Sequence, residues 1–219
     1  MYKINKELHD YIYRAIGAKY YYNRQVGDNF KFMKITDTHF LFFDLDGTLV
    51  DTDYANFLSY SEAIKQVLGI NVDYNPNVRF TREIVKKIIP NITDKTYEKV
   101  VKQKNSFYKK NLSMTKINDS IVKILKQYSE TNKTVLITNC HAERAIITLD
   151  YHGLSNFFYH KIFRQEPLGN ISKYKNALDL LRIPAKCVFA FENDKTEIEA
   201  AVAVGIPRCQ ILCVGVSNE

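Results

Sequence analysis

The sequence of 219 residues contains no tryptophan, four cysteines, five prolines and eight glycines. No apolar stretch approaches the roughly 20 residues that a membrane-spanning helix needs, and residues 1–7 lack the apolar block of a signal peptide. The cysteines follow no metal-ligand spacing, so we expect reduced, mostly buried thiols. These absences lead us to expect a cytoplasmic protein without a membrane partner.

The remaining composition is that of a globular protein, with 46% hydrophobic and 25% charged residues. The formal net charge of +7 favours anionic partners, such as phosphorylated small molecules or nucleic acid. The lysines are spread along the chain rather than gathered in one block, which is more typical of a solvated basic surface. Nucleic acid is therefore not the favoured partner.

The most informative stretch is an apolar run at 39–43 that leads directly into Asp44-Leu45-Asp46-Gly47. A short apolar run closed by a glycine predicts a buried strand that ends in a turn. Turn chemistry accounts for Asp46 and Gly47 but leaves Asp44 at the end of a buried strand, where a carboxylate is costly without a partner. A divalent cation with oxygen ligands and a phosphate would satisfy both carboxylates.

Residues 44–51, DLDGTLVD, resemble the first motif of the haloacid dehalogenase (HAD) superfamily, DxDGTL(V/I)D. The resemblance implies that Asp44 is a nucleophile and Asp46 a general acid/base. It further implies a branch with a helical cap, similar to phosphoglycolate phosphatase and β-phosphoglucomutase. The match to the superfamily extends over roughly residues 38–215.

Residues 53–130 are rich in Lys and Tyr and poor in Gly, and helical patterns occur at 54–68, 81–89, 93–110 and 117–128. The superfamily carries a helical cap at this place, which shields the site and selects the substrate. Tyr54, Asn56 and Tyr60 follow the first motif closely, so they either line the site or pack in the core. A helical subdomain without a gating role is the alternative.

Two further segments match later motifs of the family. The apolar run 134–137 ends in Thr138-Asn139, which resembles the second motif and implies that both residues hold phosphoryl oxygens. The third motif is a lysine near a helix N-terminus. The usual Lys-Pro-x-Pro form is absent, but Ser172 is a suitable N-cap, so Lys173 is the predicted lysine and Lys175 the alternate.

The last motif departs from the family pattern. Counting back from Ala200-Ala201, the usual metal-binding aspartate falls on Asn193, and Asp194 follows it. Either Asp194 or Glu192 takes over as the ligand, or metal affinity is weakened, because an amide is a poorer ligand for Mg²⁺ than a carboxylate. The predicted metal ligands are Asp44, Asp46, Asp194 and Asn193. Asp194 with Glu197 also fits a helix capping box.

Strands and helices alternate along the chain, which predicts an α/β fold with a doubly wound parallel sheet and an inserted all-helical cap. The expected core domain comprises 38–52 and 131–219, and the expected cap comprises 53–130. Residues 1–37 form an N-terminal extension, with a helix predicted at 6–18 and a β-hairpin at 20–35. The resemblance assigns this extension no role.

The combined hypothesis is a Mg²⁺-dependent phosphatase that hydrolyses a small phosphorylated metabolite through an aspartyl-phosphate intermediate. The predicted catalytic residues are Asp44, Asp46, Thr138, Asn139 and Lys173. The alternatives are a phosphomutase of the same fold, a nucleic-acid end phosphatase, and a non-catalytic binding protein with a degenerate metal site. The sequence leaves the substrate and the oligomeric state open.

Overall fold

A computed structural model of the chain describes residues 19–21, 33–164 and 171–214. The strands of this part are β1 Lys19–Tyr21, β2 Met33–Ile35, β3 Phe40–Phe43, β4 Val50–Asp51, β5 Lys116–Ile117, β6 Lys133–Ile137, β7 His160–Ile162, β8 Val188–Glu192 and β9 Ile211–Cys213. The helices are α1 Asp53–Leu68, α2 Arg82–Ile88, α3 Asp94–Lys110, α4 Asp119–Ser129, α5 Ala142–Tyr151, α6 Lys173–Leu181 and α7 Lys195–Ala203.

Five of these strands form one parallel sheet in the order β7-β6-β3-β8-β9. The apolar strand β3 lies at its centre, where Phe40 pairs with Lys133 of β6 on one side and with Val188 of β8 on the other. Four of the strands were predicted from apolar runs, whereas the short edge strand β7 was not. A parallel sheet requires crossover connections, and helices supply them here.

Helices cover both faces of the sheet. Because side chains alternate along a strand, Leu41 and Phe43 point to one face and Phe42 to the other. The first face packs against α4 and α5, and the second packs against α6 and α7. The predicted doubly wound α/β fold is confirmed.

The predicted cap region forms a separate helical layer. Helices α1, α2 and α3 bury a hydrophobic cluster of their own, in which Phe57 and Ile64 of α1 meet Val85 and Val100. Helix α1 ends at Gly69, whose left-handed φ of 71° stops the helix. Helix α3 begins after Thr93, whose side chain accepts a hydrogen bond from the Thr96 N–H.

The chain enters and leaves this layer through a two-stranded ribbon, in which β4 pairs antiparallel with β5. Helix α4, which follows the ribbon, packs on the sheet through residues such as Ile121 and Leu125 rather than on the cap cluster. The domain boundaries stay a prediction. We propose to place the end of the cap at the ribbon, near 116–117, instead of at 130.

The predicted N-terminal helix at 6–18 lies outside the described residues. Strands β1 and β2 pair antiparallel, with Lys19 opposite Ile35, as expected for the arms of the predicted hairpin, while the connection between them also lies outside the described residues. In the part of the chain that is described, no helix is both long and apolar enough to cross a membrane.

Candidate active site

The motif strand β3 ends at a tight turn that brings two carboxylates to the carboxyl edge of the sheet. Asp44 follows β3 directly, and its N–H donates to the Phe191 carbonyl at 3.1 Å. Gly47 then reverses the chain with a φ of 86°, a left-handed conformation that favours glycine. The side chain of Asn193 fills the space beside this turn, where a Cβ on Gly47 would lie 2.3 Å from the Asn193 Nδ2. The first and fourth motifs therefore meet.

Lys173 joins the third motif to this edge. Its Nζ lies 2.6 Å from Asp44 Oδ1 and 2.7 Å from Glu192 Oε2. The ammonium is buried between the two carboxylates, since side-chain exposures are 5% for Lys173, 8% for Asp44 and 1% for Glu192. Helix α6 positions the lysine at its first residue, and Ser172 caps the helix as predicted by accepting from the Lys175 N–H.

The alternate lysine is placed differently. Lys175 is exposed and its Nζ contacts Asp179 of the same helix at 2.8 Å. Because helical residues two positions apart face different sides, only one of the two lysines reaches the strand ends. The structure thus brings Lys173, and not Lys175, to Asp44.

The buried charges of this cluster shift the pKa values of Asp44 and Lys173. Burial, followed by the negative charges of Glu192 and Asp46, raises the pKa of Asp44 to about 7, although Lys173 opposes this shift. Burial alone would lower the pKa of Lys173, but the carboxylates of Asp44 and Glu192 outweigh it and hold that pKa above its usual value. Two carboxylates share one ammonium here, so the cluster carries excess negative charge.

Asp46 has a different environment. Arg144 of α5 binds it in a bidentate manner, with Nη1 at 2.9 Å from Oδ1 and Nη2 at 2.5 Å from Oδ2. The Thr52 hydroxyl donates to Oδ1 at 2.6 Å. Burial raises the pKa of Asp46, but Arg144 and Thr52 outweigh this effect and hold that pKa well below its usual range. Asp46 is therefore an anion in this arrangement.

Thr138 and Asn139 lie at the end of β6, next to β3. Thr138 is buried, and its hydroxyl oxygen accepts from the Cys140 N–H at 3.1 Å, which leaves its O–H group able to donate elsewhere. The Asn139 side chain is exposed and donates to Glu197 Oε1 at 2.8 Å. Both residues line the same cavity as Asp44.

The acidic residues Glu192 and Asp194 of the fourth motif accept hydrogen bonds from backbone N–H groups. Glu192 is fully buried, and its Oε1 accepts the N–H groups of Asn193 and Asp194 at 2.9 and 3.0 Å. Asp194 caps helix α7, because its Oδ1 accepts from the N–H groups of Thr196 and Glu197 at 2.8 and 3.2 Å. The capping interpretation of Asp194 therefore has direct geometric support.

Asn193 lies where a metal-binding side chain was predicted. With its nitrogen turned inward, its amide lies 3.2 Å from the Asp46 carbonyl, 3.1 Å from the Thr48 hydroxyl and 3.2 Å from Glu192 Oε1. In this orientation the amide nitrogen is a donor within hydrogen-bond distance of three acceptors, which its two N–H groups share. In the opposite orientation its oxygen would face the Asp46 carbonyl and Glu192, an arrangement that a cation satisfies.

This donor set suits a magnesium ion. Within the described residues no group of three or more His, Cys, Asp or Glu side chains is placed to hold a metal. A cation beside Asp44 would instead use one carboxylate, the Asp46 carbonyl and the Asn193 amide. Mg²⁺ prefers oxygen ligands and usually binds through one or two carboxylates together with waters and substrate phosphates. The residues present therefore fit Mg²⁺ with fewer charged ligands than the sequence pattern of the family provides.

A cavity of about 350 Å³ opens from the carboxyl edge of the sheet toward the cap. Asn56 and Tyr60 of α1 line it, whereas Tyr54 does not and packs against the ring of Tyr74 at 5.0 Å. The cap also contributes a basic wall that was not predicted from the sequence, formed by Arg79, Arg82, Lys104 and Lys109.

Two further residues of the site are Arg144, which was not predicted from the sequence, and Glu192, whose role the sequence left undecided. Arg144 is the third residue of the helix that follows the second motif, so it lies in the first turn, near the strand ends. Nothing in the sequence distinguishes it from a surface arginine. Glu192 was considered only as a metal ligand, and its contacts with Lys173 and Tyr174 depend on the register of β8 with β3.

The model of the haloacid dehalogenase-like hydrolase family matches residues 41–211 of the chain. That segment contains all of the predicted catalytic and metal-binding residues. The chain therefore belongs to the haloacid dehalogenase-like hydrolase family, and the enzyme class predicted from the first motif is confirmed.

Solved structures of related proteins share the fold. A haloacid dehalogenase-like hydrolase from Streptococcus pneumoniae has a TM-score of 0.62 at 20% identity, covering 78% of this chain and 83% of that one. A predicted phosphoglycolate phosphatase from Haemophilus somnus has a TM-score of 0.63 at 20% identity, with coverages of 78% and 83%. A candidate β-phosphoglucomutase from Thermotoga maritima has a TM-score of 0.58 at 21% identity, with coverages of 79% and 83%.

Proposed function

We propose that the protein hydrolyses a small phosphate monoester in a Mg²⁺-dependent reaction through a phosphoaspartate on Asp44. The observation that carries this proposal is the buried Lys173 ammonium, in contact with both Asp44 at 2.6 Å and Glu192 at 2.7 Å. A fixed positive charge beside a carboxylate nucleophile stabilises the negative charge that a phosphoryl group adds. The names of the compared phosphatase and phosphomutase are consistent with chemistry on phosphate esters.

In the first step, an oxygen of Asp44 forms a bond to phosphorus and the bond from phosphorus to the alcohol oxygen breaks. The departing alkoxide takes a proton from a general acid, for which Asp46 is the proposed residue. In the second step, water attacks phosphorus, its proton passes to Asp46, and the bond between Asp44 and phosphorus breaks. The net reaction converts the ester and water into an alcohol and phosphate.

The contact of Asp46 with Arg144 bears on this cycle. While Arg144 occupies both carboxylate oxygens, Asp46 is held as an anion that cannot donate a proton. We propose that the phosphoryl group competes for the Arg144 guanidinium, since a phosphate is also a good bidentate acceptor for arginine. Release of Asp46 from Arg144 would then accompany substrate binding and let the carboxylate take up a proton from solvent, the proton that it later donates to the leaving oxygen.

Fixed groups of the protein are proposed to stabilise the negative charge on the phosphoryl oxygens of the substrate. The Thr138 hydroxyl and Asn139 lie on the cavity wall beside Asp44 and are the proposed donors to the phosphoryl oxygens. Asp44, the Asp46 carbonyl and Asn193 are the proposed Mg²⁺ ligands, with Asp194 assigned to helix capping. Mg²⁺ held by these residues would supply positive charge that stabilises the negative charge of the reacting groups.

The test is phosphate release from an aryl phosphate and a panel of small phosphate esters, with Mg²⁺ or with EDTA. We expect release that requires Mg²⁺ and falls by at least about a thousandfold in Asp44→Asn, since the nucleophile is lost. Asp73→Asn is the matched control, because Asp73 is exposed and lies outside the cavity.

Two results would contradict the proposal. Activity of Asp44→Asn close to that of the wild type would exclude Asp44 as the nucleophile. Full activity in EDTA would exclude the metal. Trapping the intermediate provides a second readout, because hydroxylamine or borohydride should modify Asp44 only when a substrate is being turned over.

A further inference from the structure

One lysine of the cap is buried in the cavity wall and forms no ion pair with a carboxylate of the described residues. Lys104 of α3 is only 5% exposed. Its Nζ lies 4.7 Å from the ring centroid of Tyr108 and 5.2 Å from that of Tyr60. No hydrogen bond or salt bridge joins it to another residue that the structure describes. An ammonium in such a place loses its hydration and recovers only part of that loss from the two aromatic rings.

The neighbouring charges make this position still less favourable for a cation. Burial, and then the positive charges of Arg144 and Arg82, lower the pKa of Lys104 to about 7, although Asp46 acts in the opposite direction. Arg144 stacks on the Tyr108 ring that Lys104 also contacts, with Cζ at 5.3 Å from the centroid. Two basic side chains, Lys104 and Arg144, thus contact the ring of Tyr108.

The basic residues of the cavity that contact Asp44 or Asp46 are already paired with carboxylates. Arg144 is paired with Asp46, Lys173 with Asp44, and Arg79 with Asp53 at 3.2 Å. Lys104 differs from all three, because no carboxylate of the described residues forms an ion pair with it, although Asp46 is close enough to affect its pKa. An anion that enters the cavity would therefore meet, at Lys104, a buried amine that no ion pair within the described residues already neutralises.

We propose that the substrate carries a second anionic group, a carboxylate or a second phosphate, which binds to Lys104 while its phosphoryl group faces Asp44. This inference rests on the proposed function, since it extends the same cavity from the reaction centre to the cap. Arg82 lies on the same wall, with Nη2 at 2.6 Å from His141 Nε2, and is the proposed second contact. A cavity of about 350 Å³ has room for a small dianionic metabolite.

A neutral ester would leave Lys104 uncompensated, so the site should select against it. A charge-assisted hydrogen bond in a desolvated site corresponds to a preference of roughly tenfold to a hundredfold. The preference should arise in binding of the ester rather than in the chemical step, because Lys104 does not contact Asp44 or Asp46.

The probes are alkylphosphonates, which cannot be hydrolysed, with spacers of two to five carbons that end in a methyl group, a carboxylate or a second phosphonate. Calorimetric titration in Mg²⁺ gives the affinity of each for the wild type, Lys104→Met and Lys104→Gln. Lys102→Met is the matched control, because it removes the same charge from an exposed position of the same helix.

We expect that, for at least one spacer, an anionic probe binds the wild type about tenfold or more tightly than the methyl probe of equal length. Lys104→Met and Lys104→Gln should reduce this ratio to within about twofold, and Lys102→Met should preserve it. Which anionic probe is preferred distinguishes a carboxylate from a second phosphate. Both Lys104 variants should be at least as stable as the wild type to heat, because they remove a buried unpaired charge.

The inference is overturned if no spacer shows a preference, or if the Lys104 variants retain it. Phosphate release from the matching esters tests the proposed hydrolysis separately from the proposed second anion site. Selective binding without turnover would contradict hydrolysis and retain the second anion site. Turnover of neutral and anionic esters with equal kcat/KM would retain hydrolysis and contradict the site.

Discussion

Replacing Arg144 by methionine should destabilise the protein through the carboxylate that it leaves behind. The side chains of Arg144 and Asp46 are 18% and 9% exposed and share two hydrogen bonds. Removing one partner of a buried ion pair costs about 3–5 kcal/mol, because the other charge stays buried without compensation. We expect about 3 kcal/mol, since Arg144 retains some contact with solvent and Thr52 still donates to Asp46.

The measurement is urea unfolding at pH 7 in EDTA for Arg144→Met, Asp46→Asn and the double variant. For a chain of this length, a loss of about 3 kcal/mol corresponds to a decrease in Tm of about 6–12 °C. The double-mutant cycle should give a coupling free energy of at least about 1 kcal/mol between the two side chains. Arg144→Lys, which keeps the charge but loses the bidentate geometry, should fall between Arg144→Met and the wild type.

The pH dependence provides an independent check. In the wild type the pKa of Asp46 is depressed, so its contribution to stability is present above the pKa of about 3.9 in the unfolded chain and is lost at lower pH. In Arg144→Met, burial raises the pKa of Asp46, so the loss of stability should shrink as the pH falls from 7 to 5. A variant within about 0.5 kcal/mol of the wild type at pH 7, or a coupling free energy near zero, would refute the assigned role of this ion pair.

Two further predictions concern reactivity and backbone strain. Burial and the charge of Asp46 raise the pKa of the Cys140 thiol to about 12. At pH 8 we therefore expect Cys140 to react with a disulfide reagent only after unfolding, while the exposed Cys209 reacts at once. Rapid modification of Cys140 in the native Cys209→Ser variant would contradict this prediction. Gly47→Ala should cost more than about 1 kcal/mol of unfolding free energy, because it adds a collision with Asn193 to a φ of 86°. Gly69→Ala is the control, since its φ of 71° is similar but nothing lies within 4 Å of the added Cβ, and equal losses in the two variants would exclude the collision.

The strands of the sheet, and the edge at which the candidate site lies, could be predicted from the sequence because each depends on a short contiguous stretch of residues. The apolar runs of β3, β6, β8 and β9 each end in polar residues, so the strands and the edge that carries the site followed directly. Ser172 marked a helix start, which favoured Lys173 over Lys175. In the structure Lys173 is buried beside Asp44, while Lys175 is exposed, in agreement with the position that the capping signal indicated.

What could not be predicted depends on contacts between distant elements. Helix α4 has an apolar face that either the cap or the sheet could bury, and its sequence does not decide between them. Likewise, whether Arg144 or Lys104 faces the cavity depends on how α5 and α3 are rotated about their axes. The expectation that the cysteines are mostly buried was wrong, since Cys140 is buried, Cys187 and Cys213 are partly exposed, and Cys209 is exposed.

The central position of β3 has a consequence for how the chain folds as it is synthesised. Its register partners in β6 and β8 lie about 90 and about 150 residues further along the chain. At synthesis rates of about 5–20 residues per second, β8 emerges roughly 7–30 s after β3. During that interval Phe40–Phe43 is an apolar segment without its final neighbours. The strand that leads into Asp44 is thus the strand of the five-stranded sheet whose apolar side chains stay longest without their final neighbours during synthesis.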